Sequence, residues 1–533
     1  MPCKLHACTM LMYALYILKY TTNNMIYDMN NYFRSEIPTS DAAEWPVGYK
    51  MPEILAYGAT ELSQEIHAKR ISCTEVMEAY LKHIDNINPS VNAIVSIRPT
   101  EELLEEARQY DLELTRGKSR GWLHGIPLAI KDLSATSGIK TTLGSPLFKN
   151  NVPQKDSFMV SRIREKGAII IGKTNTPEFG LGSQTFNNVF GISRNAYDNK
   201  LTAGGSSGGA AAALALHMLP VADGSDMMGS LRNPAAYHNI YGLRPSFGRI
   251  PSGPAPEFFC HQLGTEGPMA RNIDDLQRLL HTQSGHEPRS PLTLTDDPSK
   301  LLGGLSSNQK GTRIGWLKDW GGELPMEEGV IEVCEEALKT FGDIGCIVEN
   351  SPPPMAMSQI WESWTKLRQW AISGNLATFY KDEKKRSLLK PEAQWEIREG
   401  LSLTAHEIHE ASVTRSLWYT TLFECFENYD FLALPSAQCF PFLATTPWPS
   451  EISGKVMDTY HRWMQVVVPG SLSGCPILNI PAGFNPQGLP MGIQVIAPHR
   501  SELSLLKLAK AYEEAAPDWK KRKPKILEKK DNN

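Results

Sequence analysis

Apolar positions recur at two periods along this chain, and the changes from one period to the other mark out its elements. From about residue 55 the spacing is helical. Val76, Met77, Tyr80, Leu81 and Ile84 fall on one face, and Ser72 with Glu75 forms the S-x-x-E capping box that supplies partners to the first turn. A second helix is predicted from Thr100 to Thr115, with Gly117 as its stop. Short apolar runs bounded by turn residues then read as buried strands. Ile126 to Ile130 is one, delivering Lys131 and Asp132 at its end, and Ala168 to Ile171 is another, with a helix over 157–166 between them.

Leu201 to Ala236 holds two serines, Ser206 and Ser230, each in a glycine-containing turn. Ala210 to Met218 is predicted as a helix of small residues ended by Pro220, and Val221-Ala222-Asp223 opens a strand that carries Asp226 and Ser230 to its far end. Past Gly267 to Arg271 comes a helix through about His281, then a Pro, Ser and Gly-rich connector near 284–311 that marks a candidate boundary between two lobes. Arg313 to Leu317, Gly329 to Phe341 and Cys346 to Glu349 read as strand, helix and strand in a parallel crossover. Residues 355–425 are mainly helical and carry Trp361, Trp364, Trp370, Trp395 and Trp418, read first as packing and second as the wall of an apolar pocket. Phe431 to Leu434, Ile477 to Ile480 and Met491 to Ile496 add strands, and Glu502 to Glu514 closes with an amphipathic helix.

The bulk numbers narrow the class. With 533 residues, 41% hydrophobic and 21% charged, the chain has the composition of a globular enzyme, and a net charge of −4 provides no electrostatic case for nucleic acid. Nine cysteines without a CxxC pair fit reduced thiols better than a disulfide framework or a zinc site. The apolar run Cys8 to Leu18 is too short to span a bilayer, and no small-x-small cleavage site follows it. A cytoplasmic protein with no stable membrane span is expected, with a cleaved N-terminal signal as the alternative. The basic tail Lys520 to Lys530 reads as a solvated end.

Two literal motifs fail on context. Gly167 to Thr174 matches GxxxxGK[ST], but the four residues between the glycines are themselves the strand, so no flexible loop remains to cradle phosphate. Gly204 to Gly208 matches the GxSxG nucleophile elbow, yet the residues before it, Tyr197 to Thr202, are turn-like where the elbow needs a strand. Read as two cooperating turns, the stretch is more coherent, because the glycines around Ser206 and Ser207 permit backbone conformations closed to other residues, a strained peptide bond among them.

Three motifs in order then carry a resemblance: GIPLAIKD at 125–132, GGSSGG at 204–209 and GSDMMGSLRNPA at 224–235. They are supported by GKTNTPEFG at 172–180, RNAYD at 194–198, YGLRPS at 241–246 and GLPMGIQ at 488–494. The chain resembles the amidase signature family from roughly residue 55 to 500. That resemblance implies an α/β/α sandwich with a mixed, mostly parallel central sheet flanked by helices. It also implies an amidase domain over 51–515, with a signature core at about 121–283, a helical insertion at about 355–425, an N-terminal extension over 1–50 and a C-terminal tail over 516–533. Carried over by position, Ser230 is the nucleophile, Ser206 the cis-serine that relays its proton, and Lys131 the base. The backbone N–H groups of Met227, Met228 and Gly229, with that of Ser230, face the oxyanion beside Ser207, while Asp226 and Arg232 brace the turn. Family members often carry two glycines before the nucleophile, where this chain has Met228-Gly229.

The reaction implied is hydrolysis of a small-molecule amide to carboxylate plus ammonia or amine, with no metal or organic cofactor and a homodimer favoured. The alternatives are an amide-transferring subunit of a larger complex and a catalytically silent binding subunit on the same scaffold.

Overall fold

The computed structural model describes residues 36–38, 43–516 and 521–528. The Cys8 to Leu18 run, Cys3 and parts of the basic tail lie outside them. Local signals act as their chemistry dictates. The helix Cys73–Ile87 starts from Ser72, whose hydroxyl accepts the Glu75 N–H at 3.0 Å while Glu75 accepts the Ser72 N–H at 2.8 Å. Thr100–Thr115 is a helix over the predicted span.

The strands that matter to the site are β1 (Ile94–Val95), β2 (Pro127–Lys131), β3 (Ile169–Thr174), β4 (Val221–Asp226), β5 (Tyr241–Arg244), β6 (Thr265–Ala270), β7 (Arg313–Trp316), β8 (Ile347–Asn350), β9 (Phe431–Pro435), β10 (Ile477–Phe484) and β11 (Pro490–Ile496). The last eight form one sheet in the order β8-β7-β9-β11-β10-β5-β6-β4. It is mixed, and five of its strands, β6, β7, β8, β9 and β10, point the same way. By neighbour, however, only β8·β7 and β7·β9 are parallel. The other adjacent pairs are antiparallel because the three opposed strands are interleaved with the majority, β10 turning straight into β11 as a hairpin. The predicted crossover from β7 to β8 through the helix Val330–Asp343 is present and parallel.

Residues 284–311 do not part the sheet: β6 before them and β7 after them belong to it together, and one apolar core runs through both sides. Helices flank the sheet, among them Gly208–Ala215, Ile273–Gln283, Val330–Asp343 and Glu502–Ala515. Gly208–Ala215 is shorter than the predicted Ala210 to Met218 at its C-terminal end and begins two residues earlier, because His217 turns left-handed at φ 57°. At Gly209 a Cβ would collide with the Asn175 backbone, so glycine is what lets this helix lie against the chain leaving β3.

A smaller sheet, β1-β3-β2, stands beside β4, with β2 and β3 parallel. The Lys131 N–H, at the end of β2, donates to the Asp223 carboxylate at 3.1 and 3.2 Å, which ties the end of β2 to β4. Ile169–Thr174 is strand throughout, so the GxxxxGK[ST] match has no loop; Lys173 is buried and donates to the Ser134 carbonyl at 2.6 Å and the Thr136 hydroxyl at 2.7 Å. Trp364 and Trp418 are fully buried, the Trp418 indole N–H donating to the Pro469 carbonyl at 2.9 Å, as packing residues do. No helix among the described residues is long and apolar enough to cross a membrane.

Candidate active site

Strands β2 and β4 end side by side, and the two serine turns close over their ends. Lys131, fully buried, places its Nζ 2.8 Å from Ser206 Oγ, 2.8 Å from Ser207 Oγ and 3.0 Å from Ser225 Oγ. No carboxylate is hydrogen-bonded to this amine among the described residues. Burial therefore dominates and pushes it down to about 7, against the smaller opposing pull of Asp223, Asp226 and Glu266. The Ser225 carbonyl lies 3.4 Å from the same Nζ, and the hydroxyls, able to donate as well as accept, accommodate the amine in its neutral form.

The Gly205–Ser206 peptide is cis. Its loop is held by Thr185, whose hydroxyl donates to the Gly204 carbonyl at 2.8 Å, and by Asn233, which accepts the Gly205 N–H at 3.1 Å. The Ser207 N–H donates to the Ser230 carbonyl at 3.3 Å and so links the two turns. Ser206 and Ser230 are 2% and 6% exposed. No hydrogen bond joins their hydroxyls among the described residues.

The Ser230 turn is organised by Asp226. One carboxylate oxygen accepts the Gly229 N–H at 2.8 Å and the other the Leu231 N–H at 3.2 Å, so the same side chain grips the chain on both sides of Ser230. Arg232 meets Asp226 through Nε at 3.0 Å and Nη2 at 3.1 Å, and Arg244 donates to the Asp226 carbonyl. These side chains are all fully buried. Burial alone would raise the Asp226 carboxyl, but the two guanidinium groups outweigh it and hold the group well below the usual carboxylate range.

Two sequence-based expectations change here. The Gly229 N–H is taken by Asp226, which leaves those of Met227, Met228 and Ser230 without a partner among the described residues. Gly229 itself is required by its φ of 74° and by Val467, which a Cβ would meet at 2.8 Å. Ser207, expected beside the oxyanion donors, instead has its hydroxyl on Lys131. The Met228 side chain is 4% exposed and packs into the apolar core.

Ser225, Asp223 and Arg244 are site residues that sequence reasoning misses. The alternation of β4 puts Asp223 and Ser225 on one face, which is a readable signal, but nothing linear says that Lys131 arrives there.

A family model for amidases matches residues 75–506. The chain belongs to the amidase family. Its relatives include a subunit of glutamyl-tRNA(Gln) amidotransferase from Thermosynechococcus vestitus, 32% identical over 489 residues, covering 87% of this chain and 99% of that one. An acylamidase from Rhodococcus erythropolis is 30% identical over 469 residues, covering 87% and 96%. Among solved structures, a bacterial aryl acylamidase of the amidase signature family superposes with a TM-score of 0.82 at 27% identity over 87% of this chain and 97% of its own. A 6-aminohexanoate cyclic dimer hydrolase complexed with substrate gives 0.75 at 25% identity over 90% and 100%. Amidase-family membership thus covers both turns and Lys131, while the relatives divide between hydrolases and part of a transferase.

Proposed function

We propose that this amidase-family protein hydrolyses a small carboxamide to carboxylate plus ammonia or amine through an acyl-serine on Ser230. The observation that carries the reading is a buried lysine whose amine touches three hydroxyls and, among the described residues, no carboxylate, an environment that favours the neutral base. Neutral Lys131 takes the Ser206 proton as Ser206 takes that of Ser230, and Ser230 Oγ bonds to the amide carbon. The N–H groups of Met227, Met228 and Ser230 in the turn receive the oxyanion. The proton on Lys131 returns through Ser206 to the amine nitrogen as the C–N bond breaks. Water then adds to the acyl carbon, giving its proton to the same relay, and the relay returns that proton to Ser230 Oγ as the ester bond breaks, which releases the acid and leaves Lys131 neutral. The Ser206 to Ser230 step needs the two hydroxyls to draw together, as catalytic hydrogen bonds commonly do once substrate is bound.

The similarity to part of an amidotransferase supports a second reading, in which the same acyl-serine serves to deliver ammonia within a complex. One experiment separates them and tests the first. The isolated chain is expected to release ammonia from simple primary amides with no partner added, and a fluorophosphonate-type probe to label Ser230. Labelling with ammonia release only on addition of a partner favours the transferase. A folded protein with neither overturns both and leaves a silent scaffold.

The pH dependence follows from the base. Because only neutral Lys131 accepts a proton, kcat/KM is expected to rise about tenfold per pH unit below about 7 and to level off above it. A profile flat from pH 5 to 8, or falling as pH rises, contradicts the assignment.

A further inference from the structure

Beyond the signature motifs, one side chain from the helical region reaches the Ser230 turn. Arg368, on the helix Met357–Lys381, is 3% exposed. Its Nε donates to Glu396 Oε1 at 2.6 Å, its Nη2 donates to the Tyr460 hydroxyl at 2.7 Å, and that hydroxyl donates to the same Glu396 oxygen at 2.6 Å. The guanidinium carbon lies 5.2 Å from the centre of the Trp364 ring. Two of the three nitrogens thus have oxygen partners in a rigid setting.

The third does not. Arg368 Nη1 ends on the Met227 sulfur at 3.3 Å. A thioether is a weak acceptor, and a buried guanidinium ordinarily satisfies its forks with oxygen. Met227 is only half-buried, flexible, and three residues ahead of Ser230. Its sulfur holds this donor more weakly than an oxygen would. Glu396 already balances the guanidinium charge, so this position does not demand an anion.

We infer that Arg368 Nη1 is a specificity-determining donor that takes a neutral carbonyl oxygen of the substrate, distinct from the one at the scissile amide, when Met227 swings aside. The inference deepens the amidohydrolase reading and rests on it for the location of the reacting bond. The preferred substrates are then amides carrying a second carbonyl.

The test compares primary amides bearing a ketone at successive positions along an alkyl chain with their methylene counterparts and with carboxylates of the same length. One ketone position is expected to raise kcat/KM roughly 10- to 100-fold over its hydrocarbon counterpart, the span of one hydrogen bond to a charged group. Arg368→Leu should bring that ratio close to one. Arg368→Lys, which keeps the charge beside Glu396, should retain only part of it and serves where the leucine variant does not fold. Met227→Leu should keep or enlarge the ratio, since no sulfur competes for the donor. A ratio unchanged in both Arg368 variants, or no favoured ketone position, overturns the proposal; a carboxylate preferred over every ketone overturns the neutral-acceptor assignment. Calorimetric binding of the same pairs to Ser230→Ala keeps the two readings apart. A ketone preference that persists there and disappears on adding Arg368→Leu supports the subsite even if Ser230 is never acylated.

Discussion

Lys131→Ala is expected to lower kcat/KM by about 10³-fold or more and to abolish labelling of Ser230 at the same time, the scale on which removal of a base acting in concert with its nucleophile is felt. Both losses follow from one cause. With the amine gone, Ser206 has no acceptor for its proton, so it cannot accept that of Ser230, and Ser230 stays a neutral alcohol toward amide and probe alike. Lys131 is fully buried, and alanine would leave a cavity beneath Ser206, Ser207 and Ser225. Lys131→Met fills that volume without restoring a base and should be equally inactive, with a thermal midpoint nearer the parent. Ser206→Ala should also be strongly impaired but retain more activity than either, because a water in the vacated space can carry the proton to an intact Lys131. Turnover by Lys131→Met within tenfold of the parent would remove Lys131 from the mechanism.

Asp226→Ala is expected to cost about 3–5 kcal/mol of stability, the scale for removing one partner of a buried charge cluster. The carboxylate accepts from the Gly229 and Leu231 N–H groups and meets Arg232 through two nitrogens, all out of contact with water. Arg232 keeps its bonds to the Val467 carbonyl and the Gln494 and Ser471 side chains, and Arg244 keeps those to the Leu263 and Ser471 carbonyls, so both cations stay buried without the carboxylate they share. The measurement is the midpoint of denaturant unfolding, which should fall with little change in slope. Activity should be lost as well, since the Gly229 N–H is freed and the turn carrying Ser230 loses its clamp. An unchanged midpoint would show that the ion pair does not brace this turn.

Much of the scaffold was legible from local chemistry. The Ser72–Glu75 box, the helix at Thr100–Thr115 and the crossover from β7 to β8 depend on neighbours within a few residues, or on a period of apolar side chains, and linear sequence records both. The failure of the GxxxxGK[ST] match is of the same kind, because the isoleucines ahead of Gly172 form a short apolar run that reads as a buried strand, and Ile169–Thr174 is one. The direction of neighbouring strands was less legible, since it depends on which strands are inserted between which, and no periodicity reports that.

By itself, then, the sequence determined the motifs, their order and the residue types at the ends of β2 and β4: a lysine, two glycine-flanked serines, and Asp226 ahead of Ser230. Tertiary structure alone decided what each of them touches. It put Ser207 and Ser225 on Lys131 beside Ser206, and turned the Gly229 N–H toward Asp226. It also enclosed Arg232 and Arg244 with one carboxylate and brought Arg368 against Met227 from 141 residues away. The physical reason is the same throughout. Periodicity and capping are short-range properties of a chain, whereas the partner of a buried polar group, and with it the protonation of Lys131, is set by whichever segment the fold packs over it.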